Sequence, residues 1–577
     1  MPDTTALLGQ VYVELDDQPA PANFSQDLLD VTVENSLHLP DVASITLSDP
    51  MGTWVDDERL GPGRSIKISS KVGQSEHPIF DGEVVELEPS YVPGHQRLVV
   101  RAFDRLHRLA RGQHVRSFQN VTDGDIIHTI AGEVSLQAQV GETPQVHEYV
   151  LQDNESNLEF LRDRTMALGF LMYVEGQTLH CEPAGTNAQA IQLQWGQSLS
   201  EFHPRLTTIG QVNSATVRGW DPDNRQDIVG QAQHGKGAPQ TSDSRTGGEL
   251  AQSAFNLTAE ALITDQLPAS QSEAERIAQA VMDRAAGDFV VAEGLGTGNP
   301  AIKAAASISI NGLGKRFDGT YFVTGTTHTY GHDEGYTTRF VVSGHRPATL
   351  LSVLRHEGEG IDARLPGLAV GVVTDNDDPK GQGRVKVRYP CLSADNASDW
   401  ARVISPGNGS NRGLQFVPEV NDEVLVGFEQ GDIHHPYILG GLWNGQDAPP
   451  GNKSDVISSG KVNQRIIKSR SGHTITLDDS DDKPSITILD KTGNNTIKLD
   501  SSNNNLTISV DGDVSLKAKG SITIEGQSVQ VKANNDLKLN GASADMEAQA
   551  GLTLKGATAD LEASGPTTVK GATVSVN

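Results

Sequence analysis

From Ser521 onward the chain repeats itself every 15 residues, with Gly526, Gly541, Gly556 and Gly571 in register and a small-polar turn after each. A solvated coil has no reason to hold a phase over four copies, so this region is read as ordered. Apolar side chains sit one residue apart within each copy, at Ile522/Ile524, Val529/Val531, Leu537/Leu539, Leu552/Leu554 and Val574/Val576, with a polar residue between them. Alternation of period two predicts two short strands per repeat, each with one narrow apolar face. A chain stacking such strands in one dimension lacks an opposing layer unless it folds over itself or meets other chains. Three chains wound together would bring three faces to one axis. Those ten residues would then form a trimer core, whereas a single-chain solenoid would stack them as a flattened roll.

Upstream, similar pairs recur at Ile475/Leu477, Ile486/Ile488, Ile497/Leu499 and Ile508/Val510, and aromatic residues disappear after Trp443. The expected division is 1–365, 366–445, a linker at 446–461, and a β-helical needle at 462–577. The first block shows alternating runs such as Val31-Thr32-Val33 and Leu98-Val99-Val100, broken by turn residues, and these read as strands of small barrels. A helix is expected to start near Asp153-Asn154 with Leu158, Leu161 and Leu168 on one face. A second is expected from Ser270 or Ser272 through Ile277, Val281 and Ala285 to Gly287. Between them, residues 230–255 read as an exposed polar loop. Five short strands between Ala369 and Leu439 suit an OB-like barrel. The fold class is mainly β with small helical inserts.

A net charge of −28 excludes affinity built on neutralising phosphates, so nucleic acid is not an expected partner. Cys181 and Cys391 lie 210 residues apart, a spacing that suggests neither a disulfide framework nor a zinc site. The start lacks a basic and an apolar region, and no run of 18 apolar residues follows, so synthesis in the cytoplasm without a cleaved signal is expected.

Several stretches invite a chemical reading. Gly294-Leu295-Gly296-Thr297-Gly298 and Lys380-Gly381-Gln382-Gly383-Arg384 lack the Lys-Ser/Thr or helix of a phosphate loop and are read as turns. His434 and His435, if on a strand, would face opposite ways and lack a third ligand. The acidic runs 375–378 and 478–482 lack the glycine and distal Glu of a calcium loop. No Gly-x-Ser-x-Gly elbow is present. No catalytic, cofactor or metal residue is therefore assigned, and the chain is not expected to be an enzyme.

The segments Asp377-Asp378-Pro379-Lys380-Gly381-Gln382-Gly383-Arg384-Val385-Lys386-Val387, 418–428 and Gly431-Asp432-Ile433-His434-His435-Pro436-Tyr437-Ile438-Leu439-Gly440-Gly441-Leu442-Trp443-Asn444-Gly445 resemble the OB block of VgrG and phage baseplate spikes. Ile466-Ile467-Lys468-Ser469-Arg470-Ser471-Gly472-His473-Thr474-Ile475 is similar to that family's entry into its β-helix, and Val217-Arg218-Gly219-Trp220-Asp221-Pro222 to a motif of its N-terminal, phage gene-D-like barrels. The resemblance implies a homotrimer that docks on a hexameric inner tube among baseplate hub proteins and pierces a target membrane with its needle. It also implies a PAAR-type tip cap, because the last histidine is His473 and no histidine-bound metal can close the apex. The short gap between Trp443 and Val462 leaves no room for a lysozyme domain, and the repeat running to Asn577 leaves none for a fused toxin. An extracellular, phage-tail-like particle is the expected setting. A trimeric fibre or adhesin with a β-solenoid stalk is the alternative.

Overall fold

The computed structural model describes residues 11–72, 75–183, 190–236, 239–241, 243–264, 266–331, 335–343, 367–392 and 397–576. They fall into two compact units, 1–448 and 449–577. The expected boundary between 365 and 366 lies outside the described residues, as do the first ten residues.

In the first unit one 11-stranded sheet runs from Leu199–Leu206 through Val290–Thr297, Gly335–Val342 and Gly325–Gly331 to Leu28–Ser36. It continues through Val42–Ser48, Arg97–Phe103, Ser75–Ser90, Ser65–Val72 and Val11–Leu15 to Gln18–Pro19. The antiparallel pair Leu28–Ser36 and Gly325–Gly331 joins two halves with separate cores. Leu15, Ile45, Leu47, Trp54, Ile66 and Leu98 fill one, and Leu199, Val290, Ile308, Tyr321 and Phe340 fill the other. Strict alternation of buried and half-exposed residues, as in Val42–Ser48, is what lets one face of each strand supply the core.

Two helices, Asp123–Glu133 and Asn157–Ala167, pack with their own strands around Ile126, Ile130, Leu161 and Met172. The second begins later than the sequence suggested. Asp153 and Asn154 belong to the strand Val146–Glu155, and Ser156 caps the helix in a reciprocal capping box with Glu159. Leu158 and Leu161 are buried, whereas Leu168 is only the half-buried C-cap.

The helix Gln271–Gly287 is capped by Ser270, but its buried stripe is Ala274, Ala278 and Met282, with Ile277 and Val281 half-buried beside it. Small residues face the sheet because the strand Gln226–Ala232 comes very close. A Cβ added to Gly230 would lie 2.1 Å from the backbone of Ala274. The stretch read as an exposed loop contains a further helix, Gly247–Phe255, capped by Thr246 and Glu249. Its two opening glycines lie against Gln211 and Val212, where no Cβ would fit.

Residues 367–441 hold a five-stranded sheet in the order Lys386–Arg388, Leu368–Asp375, Glu423–Phe428, Pro436–Gly441, Arg402–Val403. Paired hydrogen bonds between Val385 and Ala401, 3.0 and 2.7 Å, close it into a barrel around Val373, Val387, Val424, Val426 and Ile438.

In the second unit, five antiparallel strands follow one another as a meander: Gln464–Lys468, Thr474–Asp478, Ser485–Leu489, Thr496–Asp500 and Asn505–Ser509. Beyond Ser509 the described chain forms no helix or strand of its own.

Candidate functional surface

The meander is amphipathic with its apolar side exposed. Its register lines up two rows across the strands, Ile467, Ile475, Ile488, Ile497, Ile508 and, beside it, Leu477, Ile486, Leu499, Leu506. In each of the three middle strands these aliphatic residues are the exposed positions, and the alternating Thr, Ser, Lys and Asp are half-buried. A lone water-soluble sheet packs its apolar face and exposes its polar one. Covering each half-exposed aliphatic side chain would contribute about 1 kcal/mol.

The assigned trimer-core residues are exposed as well, with no sheet beneath them. Ile522, Ile524, Val529, Val531, Leu537, Leu539, Leu552, Leu554, Val574 and Val576 are all more than half exposed, Leu539 at 78 % and Val529 at 56 %. Among the described residues, the backbone from 512 to 576 forms no hydrogen bond with its own chain. Backbone N–H and C=O groups that the chain itself does not pair are met either by water or by other strands.

The stretches with a possible chemical reading have structural partners. Gly294, Gly296 and Gly298 lie on or beside the strand Val290–Thr297 rather than in a turn, because a Cβ there would meet the Phe340 ring, the Ser198 carbonyl and the Tyr336 ring at 2.2, 2.3 and 2.0 Å. Lys380–Arg384 is a turn built on Asp378. Its carboxylate accepts the amides of Lys380, Gln382 and Arg384 and the Arg384 guanidinium, whose hydrogen bond holds that carboxyl far below the usual range.

The Lys380 and Gln382 side chains both reach Asp223, at 2.7 and 2.8 Å, which ties the turn to the Asp221–Asn224 hairpin just after the Trp220 motif. His434 and His435 lie in a turn, not on a strand, and both Nδ1 atoms meet Asp432, at 2.9 and 3.2 Å. Burial would raise the Asp432 carboxyl, but these two hydrogen bonds outweigh it and hold it well below its ordinary value. In the run 478–482, Asp478 accepts from Ser480 and Asp479 pairs with Arg465. Among the described residues no three His, Cys, Asp or Glu side chains are grouped to hold a metal. Among them, too, no helix is long and apolar enough to cross a membrane.

The barrel closed by Val385 and Ala401 is matched among known proteins. Residues 369–443 match the type VI secretion system/phage-baseplate injector OB domain. The type VI secretion system spike protein VgrG1a of Pseudomonas aeruginosa is 35% identical over 83 residues, 12% of this chain and 13% of that protein. VgrG5 of the same organism is 36% identical over 98 residues, 15% of this chain and 12% of that protein. The chain therefore spans only a small part of the length of these relatives. The structure of the Francisella PdpA-VgrG complex, half-lidded, shares the fold over 87% of this chain and 88% of that one, with a TM-score of 0.51 at 10% identity. Fold and matches together define a chain with a VgrG-like fold that carries an injector-type OB domain. Residues 11–332, more than half of the chain, match the Alg8 N-terminal domain, and the chain belongs to that family.

Proposed function

We propose that this chain is the structural spike of a contractile injection machine, acting as a homotrimer. Its work is mechanical. The N-terminal barrels join a hexameric inner tube among baseplate hub proteins, the OB barrel makes the transition, and residues 462–577 of three chains wind into a needle that pierces the target membrane. A PAAR-type protein caps the tip. The chain is made in the cytoplasm and acts in a particle that works outside the cell.

The observation that carries this reading is the segment 512–576, which repeats an aliphatic phase yet offers its own chain neither a hydrogen bond nor a covering layer. Three copies give every strand two neighbours and every apolar face a core. Interchain ladders without free edges also resist bending, which a needle loaded along its axis requires.

Light scattering coupled to size exclusion on the purified chain is the test. A mass of three chains is expected. A clean monomer would make the repeat a single-chain solenoid and remove the mechanism.

A further inference from the structure

Within the first unit, the OB barrel meets the strand Val146–Glu155 along a seam that the spike function does not call on. Leu151 belongs to the barrel's core cluster, with Tyr149 packed against it. The amide of Leu151 donates to Nε2 of His434 at 3.1 Å, and Tyr149 lies against the same ring at 6.4 Å between centroids. Nδ1 of His434 is 2.9 Å from Asp432 Oδ1, which also accepts the His434 amide.

A carboxylate on Nδ1 and an N–H aimed at Nε2 specify one tautomer, with the proton on Nδ1 and the lone pair on Nε2. The seam also holds an unsatisfied acceptor. Asp153 Oδ1 is buried and has no hydrogen-bond partner. Burial pushes this carboxyl up, and a positive charge on His434 would pull it back.

We propose that His434 is a proton-operated latch between the strand Val146–Glu155 and the OB barrel. With the ring neutral, Nε2 accepts the Leu151 amide and the seam is closed. A proton taken up on Nε2 turns that atom into a donor, so the Leu151 amide loses its acceptor while Asp153 gains a charged partner. The two states exchange one hydrogen bond for another, and such an element can be tipped by a single proton.

The titratable groups around the ring are Asp432 and His435 on its own turn and Tyr149 and Asp153 on the facing strand, with Asp399 acting on Tyr149. His435 does not duplicate the latch. Burial lowers its proton affinity, but Asp432 outweighs that and keeps it above its ordinary value, and its Nδ1 is already on Asp432. The ligand of this site is a proton, and the response is a loosened seam in acid.

Hydrogen exchange of the full-length protein, read by mass spectrometry on the peptide containing Leu151 and corrected for the intrinsic pH dependence of exchange, tests the latch. Protection of that amide is expected to fall at least about tenfold between pH 7.5 and 5.5, a change of ~1.4 kcal/mol. Amides of Leu368–Asp375 should keep theirs. In His434→Gln the Leu151 amide should show no such dependence. In Asp153→Asn, which leaves the ring in place, the loss should move to lower pH. Flat protection in the unmodified protein, or the same loss in His434→Gln, overturns the proposal. An unmoved transition in Asp153→Asn overturns the part given to Asp153.

Discussion

Phe340 and Tyr336 press their rings onto the strand Val290–Thr297 and its end where Gly294 and Gly298 have no Cβ to keep them off. A methyl group at Gly294 would stand 2.2 Å from the Phe340 ring, which is itself fully buried and cannot move aside. Gly294→Ala is expected to cost about 1–3 kcal/mol, as overpacking of a filled core does, measured as a lowered thermal midpoint of the purified protein. In sequence the alternate glycines look like a loop, because the rings that require them come from a single strand, Gly335–Val342, some forty residues further on. The histidine pair was misplaced for a related reason. The turn at 432–435 is fixed by Asp432 accepting from both rings, a three-residue arrangement that strand periodicity does not register. A signal was present all the same, since Asp two residues before His434 is the spacing of a side chain that turns back on its own backbone.

The helical insert depends on a buried ionic contact between its elements. Asp123 opens the first helix, Arg164 lies in the last turn of the second, and His147 comes from the strand Val146–Glu155. Arg164 Nε donates to Asp123 Oδ1 at 2.6 Å, and His147 Nε2 is 3.0 Å from Oδ2. Burial alone would push the Asp123 carboxyl up, but the His147 hydrogen bond and the Arg164 charge bring it down to about 2. Because the folded value lies below the ordinary one, the contribution is full above about pH 4 and is lost as pH falls toward 2. Asp123→Asn should cost about 2 kcal/mol at pH 7 and less than about half of that at pH 2.5, read from thermal unfolding at the two pH values. An equal cost at both would show that shape, not charge, holds the insert. The helix start at Ser270 was legible because Glu273 follows three residues later, whereas the same spacing at Ser156 and Glu159 was passed over for Asp153-Asn154. The cap Thr246/Glu249 has that spacing too, and was masked by the two glycines that follow Thr246. The buried stripe Ala274, Ala278, Met282 was less legible, because the close approach that selects small residues is set by Gly230 on a distant strand.

At the scale of the whole molecule, the repeat and the barrel motif were readable from one chain because both are written as spacing. In the proposed trimer the second and third sets of strands come from other chains, so the needle would be visible in sequence only as a demand for partners. Val529→Asp places a charge on the face assigned to the core, where it would have no counter-charge. Loss of the three-chain species in light scattering is expected, and an unaffected trimer would count against that face. The contrast between the meander, which hydrogen-bonds within its own chain, and the repeat, which does not, bears on alignment. Three chains paired only through a 15-residue repeat could slide by one repeat and still bury every aliphatic residue except those of the terminal copy, so the repeat is a ruler with identical marks. The meander is folded as a block before the ruler begins, and in the proposed trimer it would supply the zero from which the three chains are measured.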